Sequence, residues 1–572
     1  MEIKRMTYET DVLVVGGGSA GMWASYSETK KNKDLKVLVV DKCAKNWGGA
    51  MVCSGGDLQI VMPNENVDDW VKDHVYYNDG LCDQKKYEAY YSLSYDRFQD
   101  YLRWGCEYLT DEEGKMYSVG VPQRGLDNVR LYVTKEKGVG GMNIQRVLNE
   151  QLLKAGVESL ERTMITTILK DNEGNAIGAA GFNIIDGTFI TIKAKAVLMA
   201  TNGGGIKSSY MGNFITGEGV KAAFDAGAEV RNMEFCRVWN MPTLFAWEGQ
   251  TTLLPLGARF SNALGEDIME RYSPVLGGNT DPHYNVIAMA LEARAGRAPF
   301  YFNTDGLDKE KVAVIKPTKG WQGLNYKRLK EDCGIDLFEQ RTEWMPQLNG
   351  FVGAIQTDVE GATRVPGLYA VGRCRSLDAG VYSGGFDLIT TAAGGYIAGE
   401  AIADYVADKS LKALDEEQLK KTEEAIYHPM QINGIGYKEV LRTLQNIVSG
   451  YDVCILKSEA SLRNALNKLE KVKREILPFV AAEDSHYLSK VYEVQAIAFY
   501  IEWFLKTSLM RKESRCGHYR EDYPHRKDEW LKWIVVGLED GEAKIHTEEV
   551  PFDTYKHQVE RCYQDNFTFI KE

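Results

Sequence analysis

No stretch of about 18 consecutive apolar residues occurs anywhere in this 572-residue sequence, so no segment reads as a membrane-spanning helix. The opening Met1-Glu-Ile-Lys-Arg-Met-Thr-Tyr-Glu-Thr10 lacks the apolar core of a secretory leader. Positive charge is in deficit: 68 Lys and Arg face 81 Asp and Glu, a net charge of −13. That balance argues against nucleic acid and against an anionic membrane surface, both of which want a basic face. The ten cysteines are scattered, with no Cys-x-x-Cys and no paired ligand spacing. Neither a disulfide framework, nor a metal site, nor an iron–sulfur cluster within the chain is therefore expected, and a reducing cytoplasm fits. Internal repeats and low-complexity tracts are also missing. The composition, 44% hydrophobic and 26% charged, is that of a globular chain with two or three domains.

What is present starts at Asp11. The apolar run Val12-Leu-Val-Val15 enters Gly16-Gly-Gly18-Ser19-Ala20-Gly21, a helix-compatible stretch follows, and a second apolar run, Val37-Leu-Val-Val40, ends at Asp41. Gly16 permits a tight turn, Gly18 lets backbone approach a pyrophosphate, and Gly21 lets the helix pack on the strand. Ser19 and Ala20 open the helix, whose free N–H groups favour a diphosphate, and Asp41 is placed to accept from ribose hydroxyls. Strand, turn, helix, strand and acid in register predict a dinucleotide site.

Further Gly-rich turns follow apolar strands along the chain. Lys195 to Ala200 opens into Thr201-Asn202-Gly203-Gly204; Leu368 to Val371 opens into Gly372-Arg373; Tyr382-Ser383-Gly384-Gly385 leads into the small-residue run from Thr391. A nicotinamide enzyme keeps its dinucleotide within one nucleotide-binding unit, whereas FAD lies along a flavoprotein and meets recurring turns. The cofactor expected is FAD. Alternating strands are predicted over 163–199 with a turn at Asn172–Asn175, and helices over 411–422 and 458–474.

This distribution resembles the succinate dehydrogenase/fumarate reductase flavoprotein superfamily. Arg511-Lys-Glu-Ser-Arg515 with Arg520-Glu-Asp522-Tyr looks like its C-terminal signature. Tyr519, Trp530-Leu-Lys-Trp533 and Leu291-Glu-Ala-Arg294 are most similar to the α subunits of adenylylsulfate reductases. The resemblance implies an α/β fold: a Rossmann-like FAD-binding domain of residues 1–235 plus 346–405, an inserted α+β capping domain of 236–345, and a helical C-terminal domain of 406–572. It implies Lys42 beside the adenosine ribose, and Gly48, Gly49, Ala50 and Met51, with Gly55 and Gly56 after them, along the pyrophosphate and flavin. Thr166 lies where a strand pairs with adenine, Thr201, Asn202 and Gly203 line the second turn, and Ser383, Gly384, Asp387 and Leu388 approach the flavin pyrimidine. Gly372-Arg373 stands where relatives have Gly-Glu, a departure that puts the ribityl contact in doubt, because a guanidinium cannot accept from hydroxyls. The position of the superfamily's flavin-linking His falls near Gly48, so FAD is expected to be non-covalent. A small ferredoxin-like iron–sulfur subunit is the implied partner. Residues 406–572 could either cover the flavin or build a homo- or hetero-oligomer face.

The resemblance breaks where substrate is chosen. The His of a Cys-His-Tyr-Met-Met-Gly-Gly-type segment is replaced in Gln347-Leu-Asn349-Gly350, an Arg proton donor by Asp281-Pro282-His283-Tyr284, and another Arg by Tyr382. Each lost anion-binding group is worth roughly 1.5–3 kcal/mol as a charged hydrogen bond. The expected substrate is therefore small and neutral, or cyclic, rather than a dicarboxylate. Candidate catalytic residues are His283, as acid or base near neutrality, Tyr382, Arg237 and Asn349, with Arg375 a weaker donor. Blander readings stand beside these: His283 as a structural histidine after Pro282, Tyr382 as an aromatic lid, Arg375 as an interface residue, and the Arg511–Asp522 cluster as a tie between domains. Two other functions stay open, a flavoprotein electron-transfer subunit of a reductase complex and a carboxylate enoyl reductase.

Overall fold

The computed structural model describes residues 3–45, 47–116, 118–119, 123–135, 140–208, 213–245, 253–308, 310, 313, 321–377, 379–381 and 384–570. Five parallel strands form the nucleotide-binding sheet, in the order Leu368–Ala370, Ala196–Met199, Val12–Val15, Val37–Val40, Glu158–Leu160. The two central Val/Leu runs are buried along their whole length, as a parallel sheet covered on both faces requires. Helix Ser19–Lys31 leaves the central strand and packs on helix Phe386–Val406. Small residues let the two approach: a Cβ on Gly395 would lie 2.6 Å from the Ala20 carbonyl oxygen, and one on Gly399 2.4 Å from that of Ala24.

The expected strand series is found as Thr163–Lys170, Ala176–Asn183 and Phe189–Lys193, which join Arg5–Glu9 in a second sheet. Its first turn is closed by the Asp171 carboxylate, which accepts from the amides of Glu173 and Asn175. The stretch expected to form a cap holds an antiparallel sheet of Cys236–Pro242, Thr342–Phe351, Phe300–Asn303 and Arg259–Ser261. Its first strand starts at Cys236 and its longest runs from Thr342 to Phe351.

Beyond 405 helices dominate: Glu416–Tyr427, Tyr437–Val448, Glu459–Glu475 and Ser485–Met510. The last is buried along most of its length because it is apolar on nearly every face, the signature of a helix threaded through an interior. Among the described residues no helix is long and apolar enough to cross a membrane. The C-terminal region also donates the hairpin of Lys532–Glu539 and Glu542–Glu549, whose first strand pairs with Val230–Arg231 and, through it, joins Ala354–Ile355. The buried β-branched run Ile534-Val-Val536 makes that strand and fastens the C-terminal region to the core of the chain.

Candidate functional site

A cavity of about 340 Å³ lies at the C-terminal ends of the parallel strands, where open α/β sheets take ligands. At one end Gly16, Gly18, Ser19 and Ala20 line it. Helix Ser19–Lys31 starts there with Gly18 as a cap that offers no side chain, and with no acid in its first turn. Its first amides thus stay available to an anion. A Cβ on Gly49 would come within 2.9 Å of Gly18 Cα, so two glycine backbones face each other across the slot. Asp41 stands beside it, accepting from Gly17 N at 2.6 Å and Cys43 N at 2.7 Å. A carboxylate has about four acceptor positions, so two remain for hydroxyls. Lys42 also lines the cavity but is paired with Glu218 at 2.6 Å and Glu493 at 3.5 Å. Burial works against its charge, yet those two carboxylates hold it above the usual lysine range.

The middle of the cavity is walled by Gly49, Ala50, Met51, Ser54, Gly55, Gly56, Thr201, Asn202, Gly372 and Arg373. At the far end Gly384, Gly385, Asp387 and Leu388 begin helix Phe386–Val406, again with no side-chain cap. Two helix N-termini therefore face one cavity, a positive dipole at each end. The Gly384–Gly385 loop is held from behind. Gln59 donates its amide to Gly385 O at 3.3 Å and its side chain to Gly384 O at 2.8 Å, while Tyr91 donates to Gln59 Oε1 at 2.6 Å. His74 Nε2 meets the Tyr91 hydroxyl at 2.6 Å. Burial lowers the His74 pKa to about 3, so this histidine is neutral, and Nε2 must carry the proton because the tyrosine's own is given to Gln59.

The paired strands Cys236–Pro242 and Thr342–Phe351 contribute Arg237, Trp239 and Asn349. Arg237 pairs with Gly350 and Val238 with Leu348, which leaves Asn349 as the extra residue of a β-bulge. Bulges of this kind re-aim side chains beside sites. Asp387 Oδ2 lies 3.0 Å from Arg373 Nε and 3.8 Å from Arg237 Nη1. Arg237 Nη2 is buried without a partner among the described residues.

Several predicted residues stand elsewhere. His283 does not line the cavity. Asp281 caps helix Pro282–Arg294, and its Oδ1 takes both the amide of His283 at 2.8 Å and its Nδ1 at 2.7 Å. The local capping motif has captured this side chain. Thr166 sits at a register break between Ile165 and Thr167, and Thr163, Met164 and Ile165 line the cavity in its place. Gly48 lines a smaller neighbouring space behind Asp41. Gly203 packs under the Arg373 carbonyl, and Gly21 serves packing alone: a Cβ there would lie 2.1 Å from Gly16 O. Arg375 is buried over the Tyr90 ring, donating to Thr390 O. Tyr382 and Ser383 lie outside the described residues.

Asp57, Leu131 and Phe214 line the cavity without having been singled out from sequence. An aspartate after Gly-Gly reads as a turn residue, which hides Asp57. Its carboxylate accepts from Thr134 N at 3.1 Å, and burial pushes its pKa up to about 6 despite that bond.

Residues 11–387 match the FAD binding domain family model, and 442–563 match the fumarate reductase flavoprotein C-terminal model. The fumarate reductase flavoprotein subunit of Mycobacterium tuberculosis is 25% identical over 94% of this chain and 97% of its own length. The fumarate reductase flavoprotein subunit of Haemophilus influenzae is 24% identical, over 97% and 96%. Among solved structures, E. coli quinol fumarate reductase FrdA superposes with a TM-score of 0.84 at 22% identity, covering 96% of this chain and 98% of that one. Adenylylsulfate reductase of Archaeoglobus fulgidus gives 0.80 at 22%, over 96% and 97%. The glycine slot, the two uncapped helix ends and the spared acceptor positions of Asp41 suit FAD, and with these matches the chain belongs to the FAD-dependent fumarate reductase/succinate dehydrogenase flavoprotein family of oxidoreductases.

Proposed function

We propose that this chain moves a hydride between non-covalently held FAD and a small organic substrate, neutral or cyclic, bearing one carbonyl-type oxygen. Bound FAD supplies the two-electron chemistry; the protein supplies position and charge. One observation carries the reading: the cavity that starts at the dinucleotide glycines ends on cap residues Arg237, Trp239 and Asn349. There Arg237 Nη2 is a buried donor awaiting an acceptor, while Arg373 is engaged by Asp387. The Arg237 guanidinium can anchor one oxygen, and Trp239, among the described lining residues, offers an apolar face to a ring. No histidine is among the described residues lining the cavity, which supports non-covalent flavin.

The second reading, a carboxylate enoyl substrate, is favoured by Arg237 and Arg373 standing on the same Asp387. If a substrate carboxylate displaced Asp387, both guanidiniums would face it. We assign the electron partner to a separate ferredoxin-like iron–sulfur protein and the location to the cytoplasm, on the scattered cysteines of the chain.

The test is anaerobic. Holoprotein reduced with dithionite is mixed with 2-cyclohexen-1-one, with fumarate, or with a cluster-bearing acceptor such as oxidised ferredoxin. Reoxidation by the enone supports the first reading, by fumarate the second. Reoxidation by ferredoxin alone leaves an electron-transfer role. Arg237→Ala is expected to retain flavin and lose about 10- to 100-fold in kcat/KM with the organic acceptor, the worth of one charged hydrogen bond of roughly 1.5–3 kcal/mol. A change confined to flavin content would reassign Arg237 to cofactor binding.

A further inference from the structure

We propose that Asp57 is the residue that exchanges a proton with the substrate, the task for which the sequence offered His283 and Tyr382. This inference rests on the proposed hydride-transfer reading and adds the acid to it.

Position comes first. Asp57 lines the far end of the cavity with Leu131, Gly384 and Gly385. Two residues on, Gln59 is bonded to the carbonyls of Gly384 and Gly385. A Cβ on Gly385 would touch Leu58 C at 2.9 Å and Leu131 Cδ1 at 2.5 Å. The segment carrying Asp57 is thus clamped against the loop that opens helix Phe386–Val406. Arg237, Trp239 and Asn349 line the same cavity from the cap. His283 lacks this position, being held by Asp281 outside the cavity lining.

The surroundings of Asp57 suit an acid. Its bonding partner is Thr134, whose hydroxyl in turn donates to Gly55 O at 3.0 Å. Asp57 makes no ion pair among the described residues. The charged groups sharing this end of the cavity, Arg237 and Arg373, are directed at Asp387. Glu107 and Lys135, beside the Thr134 segment, are exposed to solvent. Asp57 is half-buried, and desolvation without a counter-charge raises its carboxyl to about 6, where one group both gives and takes a proton efficiently.

The chemistry balances. Reducing a C=C or C=O bond breaks its π bond and forms two single bonds to hydrogen. One hydrogen arrives as hydride, with two electrons, from the bound reduced cofactor. The other arrives as a proton from the Asp57 carboxyl to the second atom of the double bond. The carboxylate left behind regains its proton from solvent. Oxidation runs the same steps in reverse.

Holoprotein Asp57→Asn and Asp57→Glu test this. With 2-cyclohexen-1-one as acceptor, wild-type reoxidation is expected to fall about tenfold per pH unit above about 6, as the acid form is titrated away. Asp57→Asn should keep its flavin spectrum and dithionite reduction, lose about 100-fold in reoxidation rate at pH 6, and show no slope. Asp57→Glu should recover part of the rate together with the slope. An Asp57→Asn rate within about threefold of wild type, or an unchanged slope, overturns the proposal. If neither the enone nor fumarate reoxidises wild type, the hydride-transfer reading has failed, and Asp57 is judged without substrate. A carboxyl whose folded pKa lies above its unfolded value stabilises the fold below that unfolded value, and the contribution is lost as pH rises through 6. Asp57→Asn holoprotein should therefore melt higher than wild type at pH 8, with the gap narrowing to about half at pH 5 and closing only below the unfolded value of about 4. A gap independent of pH overturns the assignment.

Discussion

Replacing Glu513 by alanine is expected to lower the unfolding free energy by about 3–5 kcal/mol, the cost of breaking a buried ion pair from one side. Glu513 is fully buried and accepts from Arg511 Nη1 at 2.8 Å, Arg515 Nε at 2.8 Å and Nη2 at 2.9 Å, and Lys527 N at 2.9 Å. Arg511 would keep Glu234 at 2.8 Å and the carbonyls of Trp530 and Lys532. Arg515 would keep only carbonyl partners, those of Asp79 and Lys527, and remain a buried charge with no carboxylate bonded to it. The asymmetry decides the sign: each guanidinium has already lost its hydration, so removing the shared carboxylate returns nothing. These contacts join residues 511–532 to Asp79 and to Glu234, just before the first cap strand. The cluster is therefore a tie between regions, as the structural reading of the C-terminal signature holds. The measurement is thermal unfolding of the holoprotein followed by both flavin fluorescence and circular dichroism. Glu459→Ala, which breaks an exposed pair with Arg463, is the control and should leave the melt unchanged. Equal melts for the two variants would show that the buried network carries no stability.

What the sequence makes legible is what short-range physics decides. The turn at Gly16–Gly21, the valine strands and the Asp41 terminus are local, and each appears where its spacing puts it. Arg237 and Asn349 reach the cavity through a bulge whose position depends on the partner strand, so likeness to the family points to them where local pattern does not. Thr166 fails for the same reason in reverse: a register break moves the lining to Thr163–Ile165. Asp281-Pro282-His283 is a helix start in its own right, with an acceptor at the cap and proline at the first turn. Read as a capping motif, it places the His283 ring on Asp281 and away from substrate. Asp57 carries no local signal, because its character comes from partial desolvation beside a loop more than 300 residues away, held through Gln59. Long-range closure and desolvation are the two quantities a linear pattern does not contain.

Gly16→Ala is expected to abolish FAD retention through purification, with affinity weakened by about 100-fold or more. Gly16 has φ +117°, a conformation L side chains rarely adopt, and an added Cβ would lie 2.4 Å from the Ala200 oxygen and 2.6 Å from its carbonyl carbon. Both are backbone atoms at the end of a central strand, fixed by Ala200 N donating to Val15 O at 2.7 Å. They cannot rotate aside as a side chain would. Strained backbone of this kind costs about 1–3 kcal/mol, before the clash is counted, and every 1.4 kcal/mol is about tenfold in affinity. The strain is relieved by moving the Gly16–Gly18 turn, which carries Gly17 N away from Asp41 and tilts the open amides of the Ser19 helix off the diphosphate. Affinity is thus lost at two contacts by one methyl group. The readout is the ratio of absorbance at about 450 nm to that at 280 nm, followed by titration of the apoprotein with FAD. Gly436→Ala, at a position with no neighbour within 4 Å and φ −71°, controls for loss of a glycine as such and should bind FAD like wild type. A Gly16→Ala protein that purifies with full flavin would mean that the turn yields to the methyl group, and that the sheet end is softer than its hydrogen bonds imply.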